Sequence, residues 1–261
     1  MITVQHLAKR FRLSRQQRRT LGVDGSTLQA VDDMSFTAQP GRIFALLGPN
    51  GAGKTTALRM IATLLRPDAG RIHIAGVDAL ADPVAARRKL GFLTGSTKLY
   101  ERLTADEIVR YYAALAGVPE AEYRRRRDAL FGALGIDAFA GRRVGKLSTG
   151  MQQKVSIART IIHDPEVIVF DEATSGLDVI AARAIIKFIR QCRADGKTVL
   201  FSTHIMSEVT MLADDLAIVY GGKLLYQGSF AGFTAASGER SLEDEFIRHV
   251  EAAEAAREPR A

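Results

Sequence analysis

The run Gly48-Pro49-Asn50-Gly51-Ala52-Gly53-Lys54-Thr55 fits G-x-x-x-x-G-K-[ST] at every fixed position, and Thr56 follows it. Glycines at positions 48, 51 and 53 let the backbone curl until successive N–H groups point inward at an anion. A helix beginning just behind the loop adds the partial positive charge of its N-terminus. In that setting Lys54 is expected to reach the β- and γ-phosphates of a nucleotide, and the Thr55 hydroxyl to ligate Mg²⁺. A second set of groups lies in VIVFDE, where Asp171 and Glu172 end an apolar run. The C-terminal edge of a parallel sheet is where α/β proteins seat their ligands. There Asp171 suits the water shell of a metal, and Glu172 suits polarisation of an attacking water. In isolation the same pair could be helix-capping acids. Ser148 and Gly150 open a helical stretch whose first turn carries no Asp or Glu. By spacing, this is either an ordinary serine cap or a second anion site, and nothing in it specifies which phosphate it would serve.

These groups need elements to hold them. Ile43–Leu47 reads as a short buried strand leading into the loop, and Leu58, Ile61, Ala62 and Leu65 recur at helical spacing after it. Strands are expected over 2–11, 31–38 and RIHIAG. Because no helix separates them, they imply an antiparallel sheet beside a parallel one. Residues 12–29 are polar, carry Arg12, Arg15, Arg18 and Arg19, and read as a solvated loop. Residues 83–160 read as mostly helical: one helix over 83–90, one starting at Thr104 with Glu107 completing a capping box, and one over 120–134. In the last of these, Arg124 to Arg127 wrap round the helix and read as a solvated face. The second half alternates: strand 167–170, helix 179–195, strand 198–202, helix 206–213, then a hairpin turning at Gly221-Gly222 and a charged tail helix. The expected class is α/β, a nucleoside-triphosphatase core of phosphate-loop type with a mixed sheet, an antiparallel β subdomain and a helical insertion. Its ATPase domain spans 1–230, with the helical subdomain at about 83–160 and a C-terminal helical tail over 231–261.

Bulk properties narrow the setting. Cys192 is the only cysteine among 261 residues, so no intrachain disulfide can form. Histidines 6, 73, 163, 204 and 249 are scattered, without the clustering of a zinc site. No apolar run approaches the roughly 18 residues of a membrane span, and the first residues lack a signal-peptide pattern. The expectation is a cytosolic protein or one held on a surface. A formal charge of +7 favours an anionic neighbour without choosing between phospholipid and nucleic acid.

GPNGAGKTT, LSTGMQQK, VIVFDE, SGLD (175–178) and STH (202–204) occur in the order found in the ATPase subunits of ATP-binding cassette (ABC) transporters, which the chain resembles. GFLTGSTKLYERLT, RRVGKLSTGMQQK and the SLEDEF tail resemble, more narrowly, sodium-extrusion ATPases and related drug- or polymer-export ATPases. The resemblance implies that two subunits sandwich two ATP molecules with Mg²⁺, each nucleotide lying between Lys54 of one chain and Ser148 and Gly150 of the other. It also implies that Phe11 stacks on adenine, that Asp178 joins the two sites, and that His204 senses the γ-phosphate and holds the lytic water. Read alone, His204 would be a strand-end histidine and Asp178 a helix cap. The implied partners are an integral membrane permease and a second ATPase subunit, with the chain at the cytoplasmic face of the membrane and no nucleic acid expected. A soluble ATPase of the same family acting on DNA or ribosomes shares the motifs, but usually carries two cassettes or coiled-coil arms. Four positions depart from the family pattern: Thr149 and Met151 in the LSTGM run, Ala173 after Glu172 where a proline is common, and Gly95 where a glutamine that contacts Mg²⁺ is usual.

Overall fold

The computed structural model describes residues 1–21, 25–94, 98–238 and 240–255. The chain opens with β1 (Ile2–Arg12), α1 (Arg15–Leu21) and β2 (Thr27–Ala38). Next, β3 (Ile43–Leu47) leads through the glycine loop into α2 (Lys54–Ile61), followed by β4 (Ala69–Ile74), β5 (Val77–Asp78), α3 (Pro83–Arg88) and β6 (Leu90–Thr94). A helical block, α4 (Ala105–Leu115), α5 (Glu120–Leu134) and α6 (Thr149–Ile161), precedes β7 (Val167–Asp171). The remainder is α7 (Val179–Ala194), β8 (Thr198–Thr203), α8 (Met206–Leu212), β9 (Asp215–Tyr220), β10 (Lys223–Ser229), α9 (Phe230–Ser237) and α10 (Leu242–Ala255).

Two sheets result. The smaller, in order β2-β1-β4-β5, is antiparallel throughout. The larger runs β10-β9-β3-β8-β7-β6 and is parallel except for the β9–β10 hairpin. Its central strands β3, β7 and β8 are buried at every residue, as expected of a parallel sheet covered on both faces. Strand periodicity divides β3 between two cores. Ile43, Ala45 and Leu47 face the helical side with Ile108, Phe131 and Ile185. Phe44 and Leu46 face the smaller sheet with Ile2, Val4 and Ile72, and Phe36 stacks on Phe44 at 5.1 Å. This arrangement clamps the strand that feeds the glycine loop from both sides.

The α/β architecture with one antiparallel and one mixed sheet is the one the sequence implies, but three stretches differ from their reading. Part of the expected 12–29 loop is helix α1, and its last three residues belong to β2. The Arg, Gln and Leu of α1 are good helix formers, but they carry no apolar stripe, so a search for hydrophobic period passes over them. Leu90–Thr94, within the stretch read as mostly helical, is the edge strand of the large sheet, paired in register with Val167–Asp171. A five-residue apolar run shows no period that separates strand from helix. The arginine run is only half solvated. Arg124 and Arg125 pair with Glu120 and Glu122 at the surface, whereas Arg127 binds Asp106 on α4 at 2.8 Å and lies 4.1 Å from the Phe131 ring centroid, tying α5 to α4. Gly95 and Ser96 lie outside the described residues.

The helical block is anchored where the capping box was expected. Thr104 Oγ1 accepts from the Glu107 N–H at 3.2 Å, and Glu107 Oε2 accepts from the Thr104 N–H at 2.8 Å. Thr104→Ala is expected to lower unfolding free energy by about 1 kcal/mol in urea titrations. Phe131→Ala, which empties the centre of the helical core, should cost about 3–5 kcal/mol. If Thr104→Ala cost as much as Phe131→Ala, the box would be holding more than its own helix end.

Candidate active site

The glycine loop lies at the C-terminal end of β3, and its shape depends on its glycines in two different ways. Gly51 and Gly53 have φ of 81° and 106°, the left-handed region that side chains avoid. Gly48 lies outside that region but is crowded: a Cβ there would come within 2.2 Å of the Val219 carbonyl oxygen. At Gly53 a Cβ would meet the Ala30 carbonyl oxygen at 2.2 Å, so β2 closes on the loop from the smaller sheet. Helix α2 then starts with no side-chain cap and no acid in its first turn, leaving its N–H groups directed at the loop. These elements enclose a cavity of about 490 Å³, within the range of small-molecule sites. Phe11 and Leu28 line it, as do Asn50 to Thr56 of the loop and Glu172. Pro49 borders the loop through its carbonyl oxygen, which accepts from Lys54 Nζ at 3.0 Å.

Lys54 is the electrostatic centre. Only 4% exposed, its ammonium donates to the Gly48 carbonyl at 2.6 Å and lies 3.8 Å from Glu172 Oε1. Burial pushes its pKa down, while the carboxylates of Glu172 and Asp171 pull it back up. Asp171, buried at the end of β7, accepts from Ser202 Oγ at 2.7 Å and from Thr55 Oγ1 at 3.1 Å through the same oxygen, Oδ1. Glu172 has φ of 50°, rare for a residue with a side chain, and its N–H donates to the Ser202 carbonyl at 3.2 Å. His204 Nδ1 lies 3.3 Å from Glu172 Oε1. The structure therefore brings Lys54, Thr55, Asp171, Glu172 and His204 to one sheet edge.

The fit to Mg²⁺ rests on the chemistry of Thr55 and Asp171. A hydroxyl and a carboxylate oxygen 3.1 Å apart are the hard donors this ion takes. Among the described residues, no group of three or more His, Cys, Asp or Glu could enclose a metal unaided. An ion held here would complete its shell with water and phosphate oxygens, the usual habit of Mg²⁺.

Ser148, Gly150 and Asp178 stand apart from the cavity lining. Ser148 is exposed and caps α6, accepting from the Met151 N–H at 3.3 Å, and no acid follows in the first turn. Gly150 is buried, and a Cβ on it would come within 2.7 Å of Ala181 Cβ on α7, so close helix packing already requires glycine there. Asp178 caps α7, accepting from the Ala181 N–H at 2.8 Å. Sequence reasoning gave no site role to Ser202, Gln29, Ala30 or the Gly221-Gly222 turn, all of which border the site. Ser202 was legible in principle, since it sits in the same STH run as His204. The others arrive through tertiary approach alone.

Comparison with known proteins shows the family. Residues 31–175 match the family described as ABC transporter. The chain is 40% identical over 230 residues to the ABC transporter ATP-binding protein NatA of Bacillus subtilis, covering 88% of this chain and 89% of that one. It is 37% identical to the Nod factor export ATP-binding protein I of Ralstonia nicotianae, over 76% of this chain and 62% of that one. A solved ATP-binding subunit of an ABC transporter superposes with a TM-score of 0.81 at 28% identity, covering 96% of this chain and 99% of that one. A dimeric ATP-binding cassette in a post-hydrolysis state, bound to ADP and Pi, shares the fold with a TM-score of 0.75 at 23% identity, covering 88% of this chain and 98% of that one. With the family match spanning more than half of the chain and NatA matched over nearly its full length, this chain belongs to the ABC transporter family, as one of its ATP-binding, ATP-hydrolysing subunits.

Proposed function

We propose that this chain powers an exporter from the cytoplasmic face of the membrane, docked on a separate integral membrane permease and working as a dimer, most simply with a second copy of itself. The observation that supports this most is the convergence of Lys54, Asp171 and the Glu172–His204 pair beside the glycine loop. Among the described residues no helix is long and apolar enough to cross a membrane. The resemblance to sodium-extrusion ATPases makes Na⁺, or another small substrate, the proposed cargo. We assign residues 1–230 to the ATPase domain and 231–261 to a C-terminal tail.

In this reading Phe11 stacks on the adenine, and the backbone N–H groups of the loop receive the phosphates. Lys54 exchanges its two carbonyl contacts for β- and γ-phosphate oxygens and stabilises charge on the transferred phosphoryl group. Thr55 and Asp171 would hold Mg²⁺, which supplies neutralising charge when bound. Glu172 accepts the proton of the attacking water as the water oxygen bonds to the γ-phosphorus and ADP leaves, and His204 orients that pair. Ser148 and Gly150, with the bare end of α6, would meet the γ-phosphate held by the other subunit, and Asp178 would lie between the two sites. ATP then closes the dimer, hydrolysis reopens it, and the helical block carries the movement to the permease.

Glu172→Gln is expected to lower phosphate release by more than about 100-fold while ATP binding survives, so that dimers accumulate with ATP in size-exclusion chromatography. Undiminished phosphate release would eliminate Glu172 as the base. Chelation of Mg²⁺ should abolish turnover reversibly, and Asp171→Asn should raise the Mg²⁺ concentration needed for half-maximal rate, measured in a metal titration. Affinity purification of the tagged chain from detergent-solubilised membranes should bring down a multi-span protein in stoichiometric amount. Recovery of ribosomes or nucleic acid in its place would overturn the transport assignment.

A further inference from the structure

Glu208 on α8 is a buried carboxylate that no step above uses; it is 6% exposed. Its Oε1 accepts from Thr174 Oγ1, and its Oε2 accepts from Thr203 Oγ1 at 2.5 Å. Thr203 Oγ1 also accepts from the Ile205 N–H at 3.0 Å. Both threonines are buried. Thr174 stands two residues after Glu172, and Thr203 immediately before His204. One side chain therefore ties together, with one oxygen each, the turn that carries Glu172 and the strand end that carries His204.

Stability alone gives little reason for a carboxylate here. Burying one is costly unless its oxygens are engaged, and apolar side chains of similar size in place of all three polar ones would fill the space without that cost. What a charged acceptor adds is direction. Hydrogen bonds to an ionised oxygen are roughly twice as strong as neutral ones and fix the donors' positions. Such fixing has a use at this point. Glu172 sits at φ 50°, a conformation that persists only where its surroundings over-determine it. Its contact with His204 is a partly exposed 3.3 Å approach that has little stiffness of its own.

We propose that Glu208 is a positioning residue for ATP hydrolysis, holding Glu172 and His204 in register through Thr174 and Thr203. This rests on the roles given to Glu172 and His204 above. The glycine loop and Lys54 are carried by other elements, so the effect should fall on turnover and spare nucleotide affinity.

The test measures steady-state phosphate release and equilibrium binding of a fluorescent ATP analogue, both with Mg²⁺, on full-length variants. Glu208→Ala should lower kcat by about 10- to 100-fold with the analogue Kd within about twofold of the parent. Glu208→Gln can accept from one threonine and donate to the other hydroxyl, and should keep kcat within about threefold. Thr174→Val and Thr203→Val, close in shape, should each lower kcat and leave Kd in place, and they decide the matter on the same criterion if Glu208→Ala does not fold. Parental kcat in Glu208→Ala or in both valine variants, or a Kd that rises in parallel with the loss, would overturn the proposal. Glu172→Gln runs beside them. If it is inactive while Glu208→Ala is fully active, only the positioning role is lost. If it turns over normally, the catalytic reading and this inference are lost together.

Discussion

An ammonium group cannot remain inside a protein unless oxygens surround it, and the burial of Lys54 is the constraint on which the rest of this structure depends. Two loop carbonyls come to it from Gly48 and Pro49, which demands the tight turn, and a carboxylate from Glu172 stands 3.8 Å away. Glu172 in turn reaches that distance only because β7 lies one strand removed from β3, with β8 between them. The strand order thus lets one lysine serve as the common neighbour of a phosphate loop and a carboxylate about 120 residues further along the chain.

The same order explains why β8 matters more than its plain sequence suggests. Pairing Asp171 opposite Ser202 places a second hydroxyl, beside that of Thr55, on the carboxylate oxygen Oδ1. One residue further, the strand delivers Thr203 to the buried Glu208, and His204 then faces Glu172. Three consecutive residues make three different contacts because alternate side chains leave a strand on opposite faces and the strand ends there.

Much of this was legible in the residues. The glycine loop, the strands flanking it and the helix caps at Thr104, Ser148 and Asp178 are local features, each defined within a few residues, and the structure has caps at all three. Features that depend on approach between distant segments were not. Gly48 reads as a turn residue, yet what excludes a side chain there is the Val219 carbonyl, which no local pattern reveals. Leu90–Thr94 becomes a strand because β7 offers it a partner, and Arg127 leaves the solvated face because Asp106 lies across the helix pair. Glu208 reads as one more acid on a short amphipathic helix until the two threonines are seen to converge on it.

The departures from the family pattern can be weighed by the atoms that the structure uses at each position. At 173 the hydrogen bond made is through the carbonyl, which accepts from Gln153 Nε2 at 2.7 Å, and any residue supplies a carbonyl. At 151 the backbone N–H donates to Ser148 Oγ while the methionine side chain packs on the helical core, so the cap is independent of the residue type. Thr149 begins the helix proper, at a position whose backbone N–H is free of any intrahelical partner whatever side chain it carries. Gly150 is the exception within the run. Its lack of a side chain is what lets α6 approach α7, and that approach carries Gln153 to the turn beside Glu172. At 151 and 173 the hydrogen bonds beside the site thus run through backbone atoms, and the glycine whose missing side chain the helix packing requires is retained.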